Sequence, residues 1–156
     1  MANLGYLQLT RNCYQRCRFC SNPPTGVDLT IEEMRSVIDG LAEMDYDGVI
    51  LTGGEPTMSP LLKPALKYAK EKGLFSRMIT NGQLLADRAF FQEVVDAGLT
   101  HIHVSLHSYR PEVHDFITAY PDAWSTLVEC LGHVPEMGIT ADINTLGPSH
   151  LAKIQQ

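Results

Sequence analysis

The chain has 156 residues, the length of about one domain, and a formal net charge of -6 at neutral pH. This acidic balance argues against a nucleic-acid partner, because phosphate binding needs a basic surface. No run of about 18 apolar residues is present, so the sequence predicts no membrane-spanning helix. The first residues lack the basic and then apolar run of a secretory signal, and we therefore expect a cytoplasmic chain with reduced thiols.

Short apolar segments alternate with helical patterns along the chain, which is typical of strand-helix units around a parallel sheet. Strands are predicted near residues 6–10, 49–52, 77–80, 102–106 and 140–145. We predict a single α/β domain over residues 1–156, a partial (β/α) barrel of about five parallel strands with helices on the outer face.

Five helices are predicted between these strands. The first begins with a capping box at Thr30 and Glu33. Its predicted inward face contains Ile31, Met34, Val37, Ile38 and Leu41. The second follows Pro60, with Leu62, Ala65, Leu66 and Ala69 facing inward. The second helix is predicted to end near Gly73 and the third near Gly98. A short helix is predicted to begin at Pro111, and the last helix runs from about Asp122 to His133.

One face of several predicted strands is polar. In the fourth strand Ile102, Val104 and Leu106 alternate with His103, Ser105 and His107. The same alternation recurs at Gln8 and Thr10 and at Asp142 and Asn144. In a barrel-like sheet the apolar side meets the helices and the polar side lines the interior, so the pattern predicts a ligand cavity. A sheet with one solvated face is the alternative.

The loops that follow the predicted strands contain the motifs, at the edge where barrel-like folds assemble their sites. Cys13, Cys17 and Cys20 follow the first strand as Cys-x3-Cys-x2-Cys. Iron-sulfur clusters usually bind four thiolates, so three cysteines indicate a cluster with one iron open to another ligand. The later loops contain residues 52–56 (Thr-Gly-Gly-Glu-Pro), 80–82, 105–108 and 144–147.

With Phe19 before the last cysteine and Gly-Gly-Glu-Pro at residues 53–56, the chain resembles the radical S-adenosylmethionine (SAM) family over nearly its whole length. The resemblance implies a [4Fe-4S] cluster on Cys13, Cys17 and Cys20, with SAM on the fourth iron. It implies reductive cleavage of SAM to methionine and a 5'-deoxyadenosyl radical that abstracts hydrogen from a peptide, protein or small metabolite. It also implies an electron donor such as a flavodoxin or ferredoxin.

The resemblance assigns cofactor contacts to the other motifs. The implied SAM-binding residues are Phe19, Gly53, Gly54, Glu55, Pro56, Asn81, Ser105 and Asn144. His103, His107 and Asp142 face the predicted cavity and are candidates for substrate contact or proton transfer. The alternative for each histidine is a hydrogen-bonded interior residue.

The chain departs from the family pattern in two places. Many relatives have a basic residue that binds the SAM carboxylate near residues 114–118, where this chain reads His-Asp-Phe-Ile-Thr. The family core usually has six strand-helix units, so we expect the last one to be missing, with the first turns of a helix at residues 149–154. We expect a truncated relative, a fragment or a subunit completed by another copy, and self-association through the unpaired edge of the fifth strand.

Two other functions remain open from the sequence. The first is a catalytically incompetent cluster-binding module that needs a partner chain. The second is a zinc protein with the three cysteines and a histidine such as His107 as ligands. Cys130 lies in an apolar helix pattern and is predicted to be a buried core residue. Arg11, Arg16 and Arg18 flank the cysteines, where they either act on the cluster or its electron donor or are solvated loop charges.

Overall fold

The computed structural model describes residues 2–147, which form five strands and five α-helices. The strands are β1 (Leu4–Thr10), β2 (Gly48–Gly53), β3 (Phe75–Thr80), β4 (Leu99–Ser105) and β5 (Thr140–Asn144). The helices are α1 (Ile31–Glu43), α2 (Leu62–Glu71), α3 (Arg88–Asp96), α4 (Pro111–Thr118) and α5 (Ala123–Met137). Short 3-10 helices occur at Pro56–Met58 and Leu84–Ala86. The helical turns predicted at residues 149–154 lie outside the described residues.

All five strands form one parallel sheet in the order β1-β2-β3-β4-β5, which confirms the predicted α/β architecture. β1, β3 and β4 each begin earlier than predicted, because pairing continues into residues that precede the apolar centre of each strand. Leu4 pairs with Gly48, for example, and Gly48 pairs with Phe75. The carboxyl ends of the strands therefore meet at one edge of the sheet, where the predicted motifs lie.

The helices pack on one face of the sheet and form the core with it. All four predicted inward residues of α2 are buried, as predicted. In α1 only part of the prediction is right: Met34, Ile38 and Leu41 are buried, but Ile31 and Val37 are exposed. The buried stripe is narrower than the apolar stripe because one sheet surface covers only the central part of the helix face.

Helix α5 extends to Met137, beyond its predicted end at His133. Pro135 lies in its last turns, and the helix stops before Gly138, which has a φ of 66°. A proline removes one backbone donor, and this costs least near the end of a helix. Cys130 is fully buried on this helix, as predicted.

The other face of the sheet is polar and partly open. The predicted alternation in β4 is present, since Ile102 and Val104 are buried in the core while His103 and Ser105 are only partly covered. The strand register places His103 beside Asp142 on this face. None of the helices within residues 2–147 has the length and apolar character needed to cross a bilayer.

Leu127 and Val128 are neighbours on α5 that test this packing, because Leu127 is fully buried and Val128 is 42% exposed. Replacing Leu127 with alanine should lower the free energy of unfolding by about 2–5 kcal/mol, since the core loses apolar contacts and gains a cavity. Val128→Ala should change it by less than about 0.5 kcal/mol. Urea unfolding followed by circular dichroism measures both values, and equal losses would contradict the described orientation of α5.

Candidate active site

A cavity of about 290 Å³ lies at the carboxyl ends of β1 to β4. It brings together most of the residues predicted for the site: Cys13, Cys17, Phe19, Cys20, Gly53, Gly54, Glu55, Asn81, Ser105 and His107. Four predicted residues do not line it: Pro56, His103, Asp142 and Asn144. Four loops that are distant in sequence thus meet around one space.

The cysteine loop is joined to the end of β2 by main-chain hydrogen bonds. The Gly54 amide donates to the Thr10 carbonyl at 2.8 Å, and the Glu55 amide donates to the Asn12 carbonyl at 2.8 Å. A Cβ atom at Gly53 or Gly54 would overlap the carbonyl oxygen of Thr10 or Asn12. Both glycines are therefore needed where β2 passes the cysteine loop.

Asp28 anchors the start of the same loop. Its carboxylate accepts hydrogen bonds from the Thr10 hydroxyl and from the Asn12 side-chain amide, the latter at 3.0 and 3.1 Å. Thr10 is buried at this contact and is not among the residues that line the cavity. The Thr10 hydroxyl therefore supports the cysteine loop.

The three arginines beside the cysteines bind main-chain carbonyl groups. Arg11 donates to Pro23 at 3.0 Å, Arg16 donates to Cys13 and Gln15, and Arg18 donates to Phe116 at 2.9 Å. The Arg18 guanidinium also lies 4.0 Å from the centre of the Phe116 ring. Backbone amides of the loop donate to Thr118 and Ile117 as well. The Arg18 side chain and the two amides fix the loop on the end of α4, whereas the Arg11 and Arg16 side chains bond within the loop itself.

The three cysteines are free thiols at the surface of the cavity, with Cys13 and Cys17 half-buried and Cys20 exposed. Burial, followed by the neighbouring Cys13 and Cys20, raises the pKa of Cys17 to about 12. Burial also raises the pKa of Cys13. Both groups are therefore neutral thiols at neutral pH, and binding a metal requires the release of their protons.

The arrangement of the thiols fits a cluster better than a single zinc ion. Sulfur ligands about 2.3 Å from one tetrahedral zinc are roughly 3.8 Å apart. Within residues 2–147, the one set of three metal-ligating atoms lying within 4.8 Å of one another belongs to His101, His103 and Asp142, not to the cysteines. A cluster spreads its thiolates over separate irons, so it tolerates wider spacing.

Glu55 is a buried carboxylate at the centre of the cavity wall, only 1% exposed. One oxygen accepts from the Thr57 amide, the Thr57 hydroxyl and the Thr80 hydroxyl at 3.1, 2.6 and 2.8 Å. The other accepts from the Asn81 amide at 2.8 Å. Burial raises the pKa of this carboxyl, although the hydrogen bonds oppose the shift. The carboxylate links the ends of β2 and β3.

Asn81 is oriented by the cysteine loop. Its side-chain oxygen accepts from the Tyr14 hydroxyl at 2.9 Å and from the Gln83 amide at 3.2 Å. Burial, followed by the charge of Glu55, raises the pKa of Tyr14, so the phenol remains a hydrogen-bond donor. Tyr14, which lies between the first two cysteines, thus positions the Asn81 side chain in the loop after β3.

His107 forms part of the opposite wall. Its ring meets Phe19 edge-on with centroids 4.6 Å apart and stacks on His114 at 5.7 Å. Burial, followed by His114, lowers the pKa of His107 to about 4, so this ring is neutral at pH 7. Its buried Nδ1 atom has no hydrogen-bond partner within the described part of the chain.

The other two substrate candidates lie away from the cavity. The His103 and Asp142 side chains are on the polar face between β4 and β5, where His101 joins them. Asn144 is exposed at the end of β5, and its carbonyl accepts from the Leu106 amide at 3.0 Å. Sequence periodicity predicted which face of the sheet these residues occupy. Their distance from the cavity at the strand ends depends on strand register.

Several site residues were missed from the sequence. Asp28, Tyr14 and Asn22 support the cysteine loop or its neighbours, and Asn22 donates to the Gly53 carbonyl at 3.3 Å. No local pattern identifies them, because each partner comes from a different strand end. Thr57 and Thr80 bind Glu55. Thr57 adjoins the motif at residues 52–56 and Thr80 begins the motif at residues 80–82, but no role was predicted for either.

Sequence comparison places residues 7–151 within the model of the Radical SAM superfamily. The chain is 31% identical over 144 residues to the PqqA peptide cyclase of Bradyrhizobium diazoefficiens, covering 90% of this chain and 38% of that protein. It is 32% identical over 135 residues to the Fe-coproporphyrin III synthase of Methanosarcina barkeri, covering 84% and 33%. The chain therefore spans well under half the length of these curated relatives.

Solved structures share the fold. The Streptococcus suis SuiB structure bound to its precursor peptide SuiA aligns with a TM-score of 0.78 at 14% identity, covering 99% of this chain and 36% of that one. Native anSMEcpe with bound AdoMet aligns with a TM-score of 0.72 at 15% identity, covering 99% and 47%. These identities are too low to transfer more than the architecture.

Gly54→Ala should lower the free energy of unfolding by about 3 kcal/mol, because the new methyl group meets the Asn12 carbonyl and the Cys13 side chain. Gly132→Ala is the matched control on α5, where no atom lies within 4 Å of the added carbon. It should stabilise the helix by up to about 1 kcal/mol. Urea unfolding measures both, and a neutral Gly54→Ala would contradict the close contact with the cysteine loop.

Glu55 should make the protein less stable as the pH rises, because its pKa is higher in the folded state than in the unfolded chain. The stability from protonated Glu55 is complete below the ordinary glutamate pKa of about 4.3 and is lost as the pH rises through the folded pKa. The unfolding free energy of the wild type minus that of Glu55→Gln should fall across this range. A difference that rises would contradict the raised pKa.

Proposed function

The chain belongs to the Radical SAM superfamily, and we propose that it forms the catalytic core of an enzyme that modifies a peptide. In this proposal Cys13, Cys17 and Cys20 hold a [4Fe-4S] cluster beside bound SAM. The bound cluster supplies an electron that cleaves SAM to methionine and a 5'-deoxyadenosyl radical able to abstract hydrogen from the substrate. The observation that carries the proposal is that all three thiols and the residue 53–55 wall line one cavity.

The donor set fits the cluster. Thiolates are the ligands that iron-sulfur clusters prefer, and three of them leave one iron for a further ligand. The loop that carries the thiols is held by hydrogen bonds to β2, Asp28 and α4, so its position does not depend on the cluster alone. Such support lets one loop present its ligands in a defined geometry.

Glu55 is proposed to bind the amino group of SAM. One of its oxygens already accepts three hydrogen bonds, while the other accepts one from Asn81 and retains capacity toward the cavity. A bound ammonium group would lower the raised pKa of Glu55, because an opposite charge favours the ionised form. The buried carboxyl would therefore be charged when the cofactor is present.

The remaining cavity residues are proposed to bind the other parts of SAM. Phe19 offers an aromatic surface for adenine, Asn81 and Ser105 offer polar atoms for ribose, and neutral His107 borders the same wall. Among the lining residues that the structure describes, Arg16 carries the one cationic side chain, and we assign it to the SAM carboxylate. Pro56 and Asn144 remain predictions, because neither lines the cavity.

A peptide is the proposed substrate class. The relative at 31% identity is a PqqA peptide cyclase, and this relationship is the basis for proposing a peptide. Cys20 is exposed at the cavity rim, which offers an electron donor such as a flavodoxin or ferredoxin a short path to the cluster. Both assignments rest on the cluster proposal.

Anaerobic reconstitution with iron and sulfide tests the cluster and SAM together. We expect about four irons per chain and, after reduction, a [4Fe-4S] electron paramagnetic resonance signal that changes on adding SAM. Cys17→Ala should lose the cluster, whereas Cys130→Ala, the matched control in the core, should keep it. A signal that ignores SAM would indicate a cluster-binding module without the proposed site. Failure of the wild type to assemble any cluster would refute the proposal.

A further inference from the structure

We propose that His101, His103 and Asp142 form a binding site for a first-row divalent cation, Zn²⁺ or Fe²⁺, on the polar face between β4 and β5. The site lies outside the set of residues that line the cavity at the strand ends. It is therefore separate from the cysteine loop and does not depend on a cluster.

The backbone brings the three side chains together. His101 and His103 are two residues apart on β4, so both side chains project from the same face of the sheet. Asp142 is the register partner of His103 on β5. Adjacent strands in a sheet lie about 4.8 Å apart, which is close enough for all three side chains to share one ion.

The ligand atoms converge on one point. His101 Nε2 lies 2.8 Å from Asp142 Oδ2, and His103 Nδ1 lies 3.6 Å from the same oxygen. All three ligand atoms lie within 4.8 Å of one another. Ligands about 2.1 Å from one metal are roughly 3.0–3.4 Å apart in octahedral or tetrahedral geometry. Small side-chain rotations therefore suffice to bind an ion.

The donor set selects the class of cation. Two imidazoles and one carboxylate suit zinc and ferrous iron, and they leave coordination positions open for water or a substrate group. Calcium and magnesium prefer oxygen ligands and fit poorly. Within the described residues, the two histidine side chains are 14% and 23% exposed, and that of Asp142 is 58% exposed.

The competing explanation is an ordinary hydrogen bond. His101 Nε2 donates to the Asp142 carboxylate without any ion, and the His103 ring packs against His101 with centroids 4.5 Å apart. Arg77 is the register partner of His101 and adds a positive charge that weakens cation binding. Its guanidinium lies 5.4 Å from the centre of the Phe75 ring. Direct metal titration separates the two explanations.

The experiment uses the full chain with Cys13, Cys17 and Cys20 replaced by serine, so that thiolates do not bind the probe. Calorimetric titration with Zn²⁺ should give one ion per chain with a dissociation constant in the micromolar range. Removing a ligand with His101→Ala, His103→Ala or Asp142→Ala should weaken binding at least about tenfold. Co²⁺ should give visible absorption bands of a nitrogen and oxygen site that disappear in the same variants.

His133→Ala is the matched control, since this histidine lies on α5 and bonds to the Ala86 carbonyl instead. It should bind zinc as the parent does, and circular dichroism should show that every variant is folded. The proposal is overturned if no stoichiometric binding occurs below about 100 µM, or if the three ligand substitutions leave affinity unchanged. Because the parent lacks the cluster cysteines, either outcome leaves the cluster proposal independently testable.

Discussion

The site depends on one buried carboxylate. Glu55 receives four hydrogen bonds from Thr57, Thr80 and Asn81, while its own amide donates to the Asn12 carbonyl. A buried acidic group is costly unless polar partners surround it, so the conformations of three loops are constrained by the need to satisfy this side chain. The ends of β1, β2 and β3 thus have a common fixed point, and the cavity is built around it.

The cysteine loop is held in place at several points along its length. Ring contacts of Tyr14 with Tyr120 and of Phe19 with His107 act together with hydrogen bonds along the loop. Asp28, Gly54 and Glu55 hold its start at Thr10 and Asn12, and Arg18 holds its later part on α4. The close approach at Gly54 makes this arrangement specific, because any larger residue would push the loop away from β2.

The polar face of the sheet has two levels with different chemistry. The upper level, at the strand ends, contains the soft thiols and the buried Glu55 carboxyl around one cavity. The lower level contains harder nitrogen and oxygen donors from β4 and β5. Register partners on parallel strands lie side by side, so the residues at each level come from neighbouring strands. A cofactor at the upper level and an ion at the lower one would occupy the same open face without competing for ligands.

Motifs and periodicity in the sequence alone determined the parallel α/β architecture, the position of the three cysteines after β1 and the buried face of α2, because spacing along the chain decides which residues share a face. They also placed His103 on the polar face. Tertiary structure alone decided that Ile31 and Val37 remain exposed, that Thr10 turns to Asp28, and that His103 and Asp142 lie outside the cavity. These outcomes depend on strand register and on how much of each element its neighbours cover. Such relations join residues that are far apart in sequence, so local sequence patterns do not reveal them.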